Sequence, residues 1–349
     1  KYCSWRANAS RYVKRFTSSK FITMRRNQGY LGSRKLMLGN TANGLFWTYR
    51  LLERAENMSR LIETGQRIAL TRLNSSDKQW LYVMQTAAVS SEYKKYYNKV
   101  EKEAALDWML KHPENNSSIL SSITSARQNA KMVRHALTTD VWEAINGSFL
   151  DIQNLLKGKI RERDLSIILR TIKQSAALVR GATYGTMLRN EEYDFCRLGT
   201  FIERADNTAR ILDVKYYVLL PSAKAVGTSI DNVQWETILR SVSAYGGFRL
   251  EYGHEAGPSD IAKFLILDKR MPRSLIYCCE ILKLHLLSLC STYSNKPASF
   301  SQIMQLQNRF LTHDIEAIFK FGLHDFLQKM ISLFADLSEQ IEIDYRFYE

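Results

Sequence analysis

Two stretches of the chain carry the same chemically capable residues, namely a glutamate, an asparagine and two arginines at fixed spacing. They read Glu53-Arg54-x-x-Asn57-x-x-Arg60 and Glu203-Arg204-x-x-Asn207-x-x-Arg210. On a helix of about 100° per residue, Glu53, Asn57 and Arg60 fall within an arc of about 60°. Arg50 lies close beside that arc. The spacing therefore predicts a stripe of acid, amide and guanidinium groups on each of two helices.

Such a stripe has the groups that are needed to bind an anion or to move a proton. Glu53 and Glu203 are the candidates for acid or base catalysis, and the arginines could hold a carboxylate or a phosphate. Carboxylates beside arginines ionise easily, which suits ligand binding better than general-acid catalysis. The stripes therefore favour an anion site and identify no reaction.

Three interpretations of the stripes remain open at this point. They could be solvated faces with pairs such as Glu56 to Arg60, each contributing roughly 0.2–0.5 kcal/mol. They could also form a buried network that joins two halves of the protein, or a ligand or catalytic site. Arginine in both copies favours planar, two-pronged contacts with a carboxylate, because lysine cannot make them. A solvated face would tolerate lysine at these positions.

The stripes belong to an internal duplication. Residues 52–63 align with residues 202–213 at an offset of 150, with five identical and five conservatively exchanged positions among twelve. Later matches follow in the same order at offsets of 155 and 156, namely Gln79-Trp80 with Gln234-Trp235 and Ser118-Ile119 with Ser274-Leu275. This order and spacing indicate a duplicated unit of roughly 150 residues. We expect pseudo-repeats at about 37–187 and 188–349.

The elements that carry the stripes are predicted to be long helices. Five prolines and sixteen glycines are too few for the turns of a β-sandwich or of repeated βαβ units. Apolar periodicity predicts helices at about 41–71, 76–108, 117–137, 139–155, 159–188, 191–220, 231–251, 272–295, 300–320 and 325–345. The predicted fold is all-α, a multi-helix bundle of about ten helices built from two pseudo-repeats.

The composition indicates a globular protein with a sizeable core, because 45% of the residues are hydrophobic and 11% aromatic. The most apolar run, residues 276–290, is interrupted by Glu280, Lys283 and His285, so no membrane helix is predicted. The N-terminus lacks the apolar centre of a secretory signal. Five cysteines without a Cys-x-x-Cys spacing favour a reducing, cytoplasmic location.

The positive charge is concentrated at the N-terminus. Residues 1–36 carry ten Lys and Arg and no acid, which leaves only +4 of the formal net charge of +14 for residues 37–349. This segment could be an arm for nucleic acid or anionic lipid, a transit-like segment, or translated sequence upstream of a start at Met37. Helical periodicity begins only after Met37, which favours the third interpretation. The mild charge of residues 37–349 disfavours nucleic-acid binding. We predict a disordered or artefactual basic extension at 1–36 and a helical domain at 37–349.

Other common site motifs do not occur in the sequence. There is no Gly-rich phosphate loop, no G-x-S-x-G and no H-E-x-x-H, so neither a cofactor nor a metal is predicted. Cys278 and Cys279 lie on an apolar helix and are expected in the core. The stripes and their neighbours are therefore the predicted ligand-binding or structural cluster: Arg50, Glu53, Arg54, Asn57, Arg60, Glu203, Arg204, Asn207 and Arg210.

These motifs resemble the two signatures of the alpha-E domain family. The first runs from Met37 to Arg60, and the second is Phe195-x-Arg197-Leu198-Gly199 followed by residues 202–213. Further segments similar to the family are Ala126-Arg127-x-Asn129-Ala130, Trp142-Glu143-x-x-Asn146, Gly185-Thr186-Met187 and Pro272-Arg273-Ser274. One departure is Gln128, where the family pattern has a glutamate. The resemblance covers about residues 37–349.

The resemblance implies an all-helical bacterial protein of uncharacterised activity. Family members are typically associated with ATP-grasp-type ligases and transglutaminase-like proteins. The implied function is a binding or catalytic component that acts with an ATP-dependent ligase in peptide or amide-bond metabolism, with a peptide or an anionic small molecule as ligand. The alternative is a non-catalytic helical scaffold or interaction protein whose stripes are structural.

The duplication also predicts the geometry of the stripes. A pseudo-two-fold pairing of the signature helices would bring both stripes toward a common centre. We expect the Glu, Asn and second Arg of each stripe to be mostly buried, each glutamate to bond an arginine, and the two clusters to share one cavity. Arg54 and Arg204 lie about 100° from the glutamates, so they are expected to reach neighbouring helices.

Overall fold

Helices form the regular structure of the chain. The computed structural model describes residues 37–71, 76–218, 229–253 and 257–348, in which there are fifteen α-helices and no strand. The helices are α1 (Gly39–Thr71), α2 (Ser76–Thr86), α3 (Ser90–Tyr96), α4 (Lys102–Leu110), α5 (Ile119–Met132), α6 (Thr139–Leu155), α7 (Glu162–Thr186), α8 (Glu191–Val218), α9 (Ser229–Ser241), α10 (Tyr245–Tyr252), α11 (Pro258–Leu267), α12 (Leu275–Tyr293), α13 (Ala298–Thr312), α14 (Ile315–Phe321) and α15 (Leu323–Asp344). The all-α class is confirmed. The interpretation of residues 1–36 lies outside the described residues.

The expected count of about ten helices was too low, because several expected helices are divided. The helix expected at 76–108 is three helices, and those expected at 231–251 and 300–320 are two each. In addition, α11 lies between two of the expected helices, in a range where none was expected. Pro258 is the first residue of this helix, a position that suits its fixed φ, and Asp260 accepts a hydrogen bond from the Gly257 amide at 2.9 Å.

Two of the unexpected breaks have the same backbone cause at equivalent positions of the duplication. Ala88, after α2, and Ser243, after α9, adopt left-handed conformations with φ of 57° and 55°. Residues other than glycine rarely adopt this conformation. An alanine and a serine therefore carry no sequence signal for these breaks. After each of them the next amide donates to the carbonyl five positions earlier, at 2.9 and 2.7 Å. The duplication therefore extends to the backbone conformation of these turns.

The signature helices α1 and α8 lie side by side and run in the same direction. Phe46 of α1 meets Gly199 of α8, and further along Arg50 meets Glu203, so the numbering of the contacts rises together. Helices α5 and α7 also pack on α1, and α12 and α15 also pack on α8. The middle of α1 is consequently buried on its apolar face and along most of its polar stripe.

Gly199 permits the close approach of these two helices. A Cβ atom at this position would lie 2.1 Å from the carbonyl oxygen of Phe46, far inside van der Waals contact. The obstacle is backbone, which cannot turn aside as a flexible side chain can. The absent side chain therefore sets the distance at which α1 and α8 pack.

Helix α12 has a strongly apolar composition. Among the described residues, one helix, α12, is long and apolar enough to cross a membrane, judged by length and composition alone. Half of it is buried within the fold, where it packs against α8 and α13. A core helix passes the same test, and α12 is packed as one.

Substitution of Gly199 by alanine tests the close approach. Gly199→Ala should lower the free energy of unfolding by about 1–3 kcal/mol, because the added methyl group overpacks the helix contact. The measurement is urea-induced unfolding followed by circular dichroism. Gly181→Ala in α7 is the matched control, since a Cβ atom there meets nothing within 4 Å and alanine should stabilise the helix slightly. Equal stability of the two variants would contradict the packing described.

Candidate functional site

Each signature glutamate binds the signature arginine of the other helix. Arg204 donates from Nε and Nη2 to the two carboxylate oxygens of Glu53, at 2.9 and 3.0 Å. Arg54 donates from the same two nitrogens to Glu203, at 2.6 and 2.9 Å. The neighbouring helix that each of these arginines reaches is thus the opposite signature helix. Both pairs are two-pronged, which a lysine could not reproduce.

Additional guanidinium groups complete the two carboxylate sites. Arg50 donates from Nε to Glu203 at 3.0 Å, on the same side as Arg54. On the other side, Arg273 Nη1 lies 3.0 Å and Arg180 Nη1 3.6 Å from Glu53. Arg180 was not among the expected site residues, and Arg273 appeared only within a family motif. Their contacts join distant parts of the chain, so no spacing rule could have indicated them.

The arginines determine the charge state of both glutamates. Burial alone would raise the pKa of Glu203, but Arg54 and Arg50 outweigh it and lower the pKa to about 2. Burial acts in the same direction on Glu53, and its arginines again prevail and hold its pKa well below the usual range. Both carboxylates are therefore ionised at neutral pH. Neither is suited to general-acid catalysis there.

The acids and amides of the stripes are more deeply buried than the arginines that end each stripe, Arg60 and Arg210. The buried members are Glu53, Asn57, Glu203 and Asn207. Arg60 and Arg210 keep 15% and 33% of their side chains exposed, so the expectation of burial does not hold for Arg210. These arginines lie at the edge because each follows its stripe outward to pair with an acid one turn earlier. The stripes as a whole are interior features rather than solvated faces.

One cavity of about 230 Å³ lies beside Glu203. Six of the nine expected residues line it: Arg50, Arg54, Asn57, Glu203, Asn207 and Arg210. Glu53, Arg60 and Arg204 do not. The two clusters therefore share this cavity only in part, because Asn57 of the first stripe lines it whereas arginine side chains surround Glu53.

Two buried amide groups of this cavity have no acceptor in the described part of the chain. Asn57 and Asn207, which are 4% and 8% exposed, occupy equivalent positions of the duplication and both line the cavity. The Nδ2 atom of each is buried and makes no hydrogen bond to any described residue. An unpaired buried donor costs about 1–3 kcal/mol. The cavity is thus suited to a molecule that brings acceptor atoms.

The electrostatics of the lining point in the same direction. Three guanidinium groups, those of Arg50, Arg54 and Arg210, face two carboxylates, those of Glu203 and Asp206. The lining therefore carries one net positive charge. Among the described residues, no group of three or more His, Cys, Asp and Glu is placed to hold a metal ion.

The equivalent space beside Glu53 is filled by arginines. Glu56, which is fully buried, binds Arg60 and also Arg180 and Arg273. In the half of the duplication around Glu203, Asp206 is the residue that corresponds to Glu56. Within the described ranges, its ion pairing is limited to Arg210 at 2.7 Å. One half of the duplicated site is therefore saturated and the other is not.

The residue of the Glu203 half that corresponds to Arg273 can be identified from the helix caps. Ser118 caps α5 by accepting from the amide three residues later, and Ser274 caps α12 in the same way. Ser117 therefore corresponds to Arg273, since each directly precedes its cap. Ser117 lines the cavity, and its short side chain leaves space where the other half has a guanidinium.

The residue of the Glu203 half that corresponds to Arg180 can be identified by comparing α7 and α15, the last helices of the two halves. Five of the eight buried positions of α7 recur in α15 at an offset of 155: Ile168, Ile172, Ser175, Val179 and Thr183 match Leu323, Leu327, Met330, Phe334 and Ser338. By this offset Arg180 corresponds to Ala335, which also lines the cavity. The cavity therefore lies where two arginines of one half are replaced by serine and alanine in the other.

Removal of the Glu203 charge tests the buried pairs. Glu203→Gln should lower the free energy of unfolding at pH 7 by roughly 3–5 kcal/mol, because Arg50 and Arg54 remain without their counter-charge. The folded-state pKa is about 2 against an ordinary 4.5. The stabilisation from this charge is therefore complete above about pH 4.5 and is lost as the pH falls towards 2. The difference between the native chain and the variant should shrink over that window in pH-dependent urea unfolding.

An exposed pair provides the control for this experiment. Glu236 pairs with Arg240 on α9, and both side chains are about one-third exposed. Glu236→Gln should cost no more than about 1 kcal/mol at pH 7. A Glu203→Gln difference as small as this, or one that stays constant from pH 7 to pH 3, would contradict the description of Glu203 as a buried, arginine-held carboxylate.

Comparisons with known proteins identify the family. The model of the Alpha-E family, described as a predicted alpha-helical domain with a conserved ER motif, matches residues 37–345. In one-letter code this motif is Glu-Arg, the sequence of both Glu53-Arg54 and Glu203-Arg204. Searches of curated proteins and of solved structures gave no match. Because the family model spans nearly all of the helical domain, the chain belongs to the Alpha-E family, an all-helical family of uncharacterised function.

Proposed function

We propose that the cavity beside Glu203 binds a small molecule with a carboxylate or phosphate group. In this proposal the chain is the binding component of a cytoplasmic system that includes an ATP-dependent ligase for peptide or amide bonds. The observation that carries the binding proposal is the pair of buried amide donors on Asn57 and Asn207, which line one cavity.

An oxyanion fits the donors and the charge of this cavity. Amide and guanidinium N–H groups are donors only, and both form hydrogen bonds with carboxylate and phosphate oxygens. The excess of one guanidinium over the carboxylates favours a ligand with negative charge. A carboxylate that contacts both asparagines would satisfy the two amide groups that the described residues leave unpaired.

The size of the cavity limits the ligand. Its volume of about 230 Å³ lies below the roughly 300–1,000 Å³ that is typical of pockets for drug-sized ligands. A small metabolite or the end of a peptide fits this space better than an extended polymer. Of the two catalytic candidates, Glu203 lines the cavity and Glu53 does not. Since Glu203 is ionised and held by two arginines, binding is better supported than catalysis.

Two further parts of the proposal have separate support. Four cysteines of the described residues are buried and free, as in a protein of a reducing compartment. The ligase partnership rests on the associations of the resembling family, which is a fold-level argument rather than one from this site. The alternative function, a helical scaffold, is favoured by the saturated Glu53 half, where arginines bind both Glu53 and Glu56.

Calorimetric titration with acetate, succinate and inorganic phosphate as probes tests the binding site. We expect at least one of the three to bind, and Asn207→Leu to weaken that binding about tenfold or more, because one hydrogen bond to a charged group contributes about 1.5–3 kcal/mol. The variant should remain stable, since the lost amide donor has no partner in the described chain. Asn154→Leu, at an exposed position of α6, is the matched control. Absence of binding by every probe, or binding that Asn207→Leu leaves unchanged, would overturn the proposal.

Affinity capture from the native host tests the partnership. A tagged chain should recover an ATP-grasp-type ligase or a transglutaminase-like protein, identified by mass spectrometry. The Gly199→Ala variant serves as a control for capture by destabilised protein. Recovery of neither enzyme class with the native chain would count against the ligase proposal and leave the binding site to be judged by calorimetry.

A further inference from the structure

The saturated half of the duplicated site, around Glu53, shows which group is missing from the other half. That other half, around Glu203, is called the open half. In the saturated half, Arg273 Nη1 lies 3.0 Å from Glu53 Oε1 and donates to Asn57 Oδ1 at 3.1 Å. Its Nη2 atom lies 3.4 Å from Glu56 Oε1. A guanidinium group is thus held between two carboxylates and an amide oxygen. All four residues are buried.

The open half presents the same acceptors around a shorter residue. The positions of Glu53, Glu56 and Asn57 are taken there by Glu203, Asp206 and Asn207, all of which line the cavity. Ser117 stands where the other half has Arg273, and its side chain cannot supply a cation. The acceptors that hold a guanidinium in one half are therefore retained in the other half, together with space for a separate molecule.

The neutralisation of the acids supports the same conclusion. Glu56 has three arginine partners, whereas Asp206 pairs, among the residues that the structure describes, with Arg210. Asp206 keeps 21% of its side chain exposed and can accept further hydrogen bonds. A cation alone would still be disfavoured, because the lining already carries one net positive charge. A molecule with both a cation and an anion satisfies Asp206 and the arginines together.

We propose that the ligand carries a guanidinium group as well as its carboxylate, and that this group occupies the position which Arg273 takes in the saturated half. The inference rests on the proposed function, namely ligand binding in the cavity beside Glu203. It narrows the ligand class to arginine-like molecules that carry both groups, either free or as the C-terminal residue of a peptide. The guanidinium would lie against Asp206 and Asn207 Oδ1, and the carboxylate against the amide donors and arginines of the lining.

Four probes separate the two ends of such a molecule in calorimetric titration. L-Arginine has both groups, agmatine lacks the carboxylate, L-citrulline replaces the guanidinium by an uncharged urea, and succinate has only carboxylates. We expect L-arginine to bind at least tenfold more tightly than L-citrulline and agmatine. Asp206→Asn should remove most of the advantage of L-arginine over L-citrulline, because the counter-charge of the guanidinium is lost.

A second variant tests the equivalence of the two halves directly. Ser117→Arg places an arginine where the saturated half has Arg273, so its guanidinium should enter the cavity and reach Asp206. We expect this variant to fold with an undiminished melting temperature and to bind L-arginine at least tenfold more weakly. Ser301→Arg is the control, because Ser301 is exposed on α13 and does not line the cavity.

The outcomes distinguish this inference from the proposed function. If succinate binds in an Asn207-dependent manner but L-arginine binds no more tightly than L-citrulline, the anion site stands and the guanidinium inference is wrong. If Ser117→Arg leaves L-arginine binding unchanged, the assigned position of the guanidinium is wrong. If none of acetate, succinate, inorganic phosphate and L-arginine binds, both proposals fail.

Discussion

Burying a carboxylate is unfavourable unless cations reach its oxygens, and this constraint governs how α1 and α8 are joined. Each helix provides a glutamate that the other helix neutralises with a two-pronged arginine. Because a shift by one residue moves a helix by about 1.5 Å along its axis, it would break both pairs at once. Gly199 allows the backbones to come close enough for these short contacts. The ion pairs and the glycine together fix both the distance and the register of the two halves.

The duplication has produced two different environments from one pattern. Around Glu53, Arg180 of α7 and Arg273, which precedes the cap of α12, saturate the carboxylates. Around Glu203, the equivalent places are held by Ser117 and Ala335, and the result is a lined cavity. The backbone is the same in kind on both sides, down to the left-handed turn after α2 and after α9. The difference between a structural cluster and a candidate binding site therefore lies in a few side chains.

The sequence was sufficient for the fold class and for the residues at the centre of the site. Identical Glu, Arg, Asn and Arg at an offset of 150 indicated both stripes, because a duplicated pattern is visible without knowledge of the contacts. The partners Arg180 and Arg273 were not predictable, since 124 and 217 positions separate them from Glu56. The division of the helices at Ala88 was equally hidden, because alanine favours helix and carries no signal for a left-handed turn.

The parallel course of α1 and α8 also determines the electric field within the fold. Parallel helices bring the positive ends of their macrodipoles together, and here the residues that directly follow the C-terminal, negative end of α15 lie against both starts. Asn43 donates to the Phe347 carbonyl at 3.2 Å, and the rings of Phe195 and Tyr345 lie 5.0 Å apart. Helix dipoles act mainly within a helix's first and last turns. The glutamates lie several turns further in, so the potential at the cavity is set by the balance of its own side chains, and a single charge substitution there can reverse its sign.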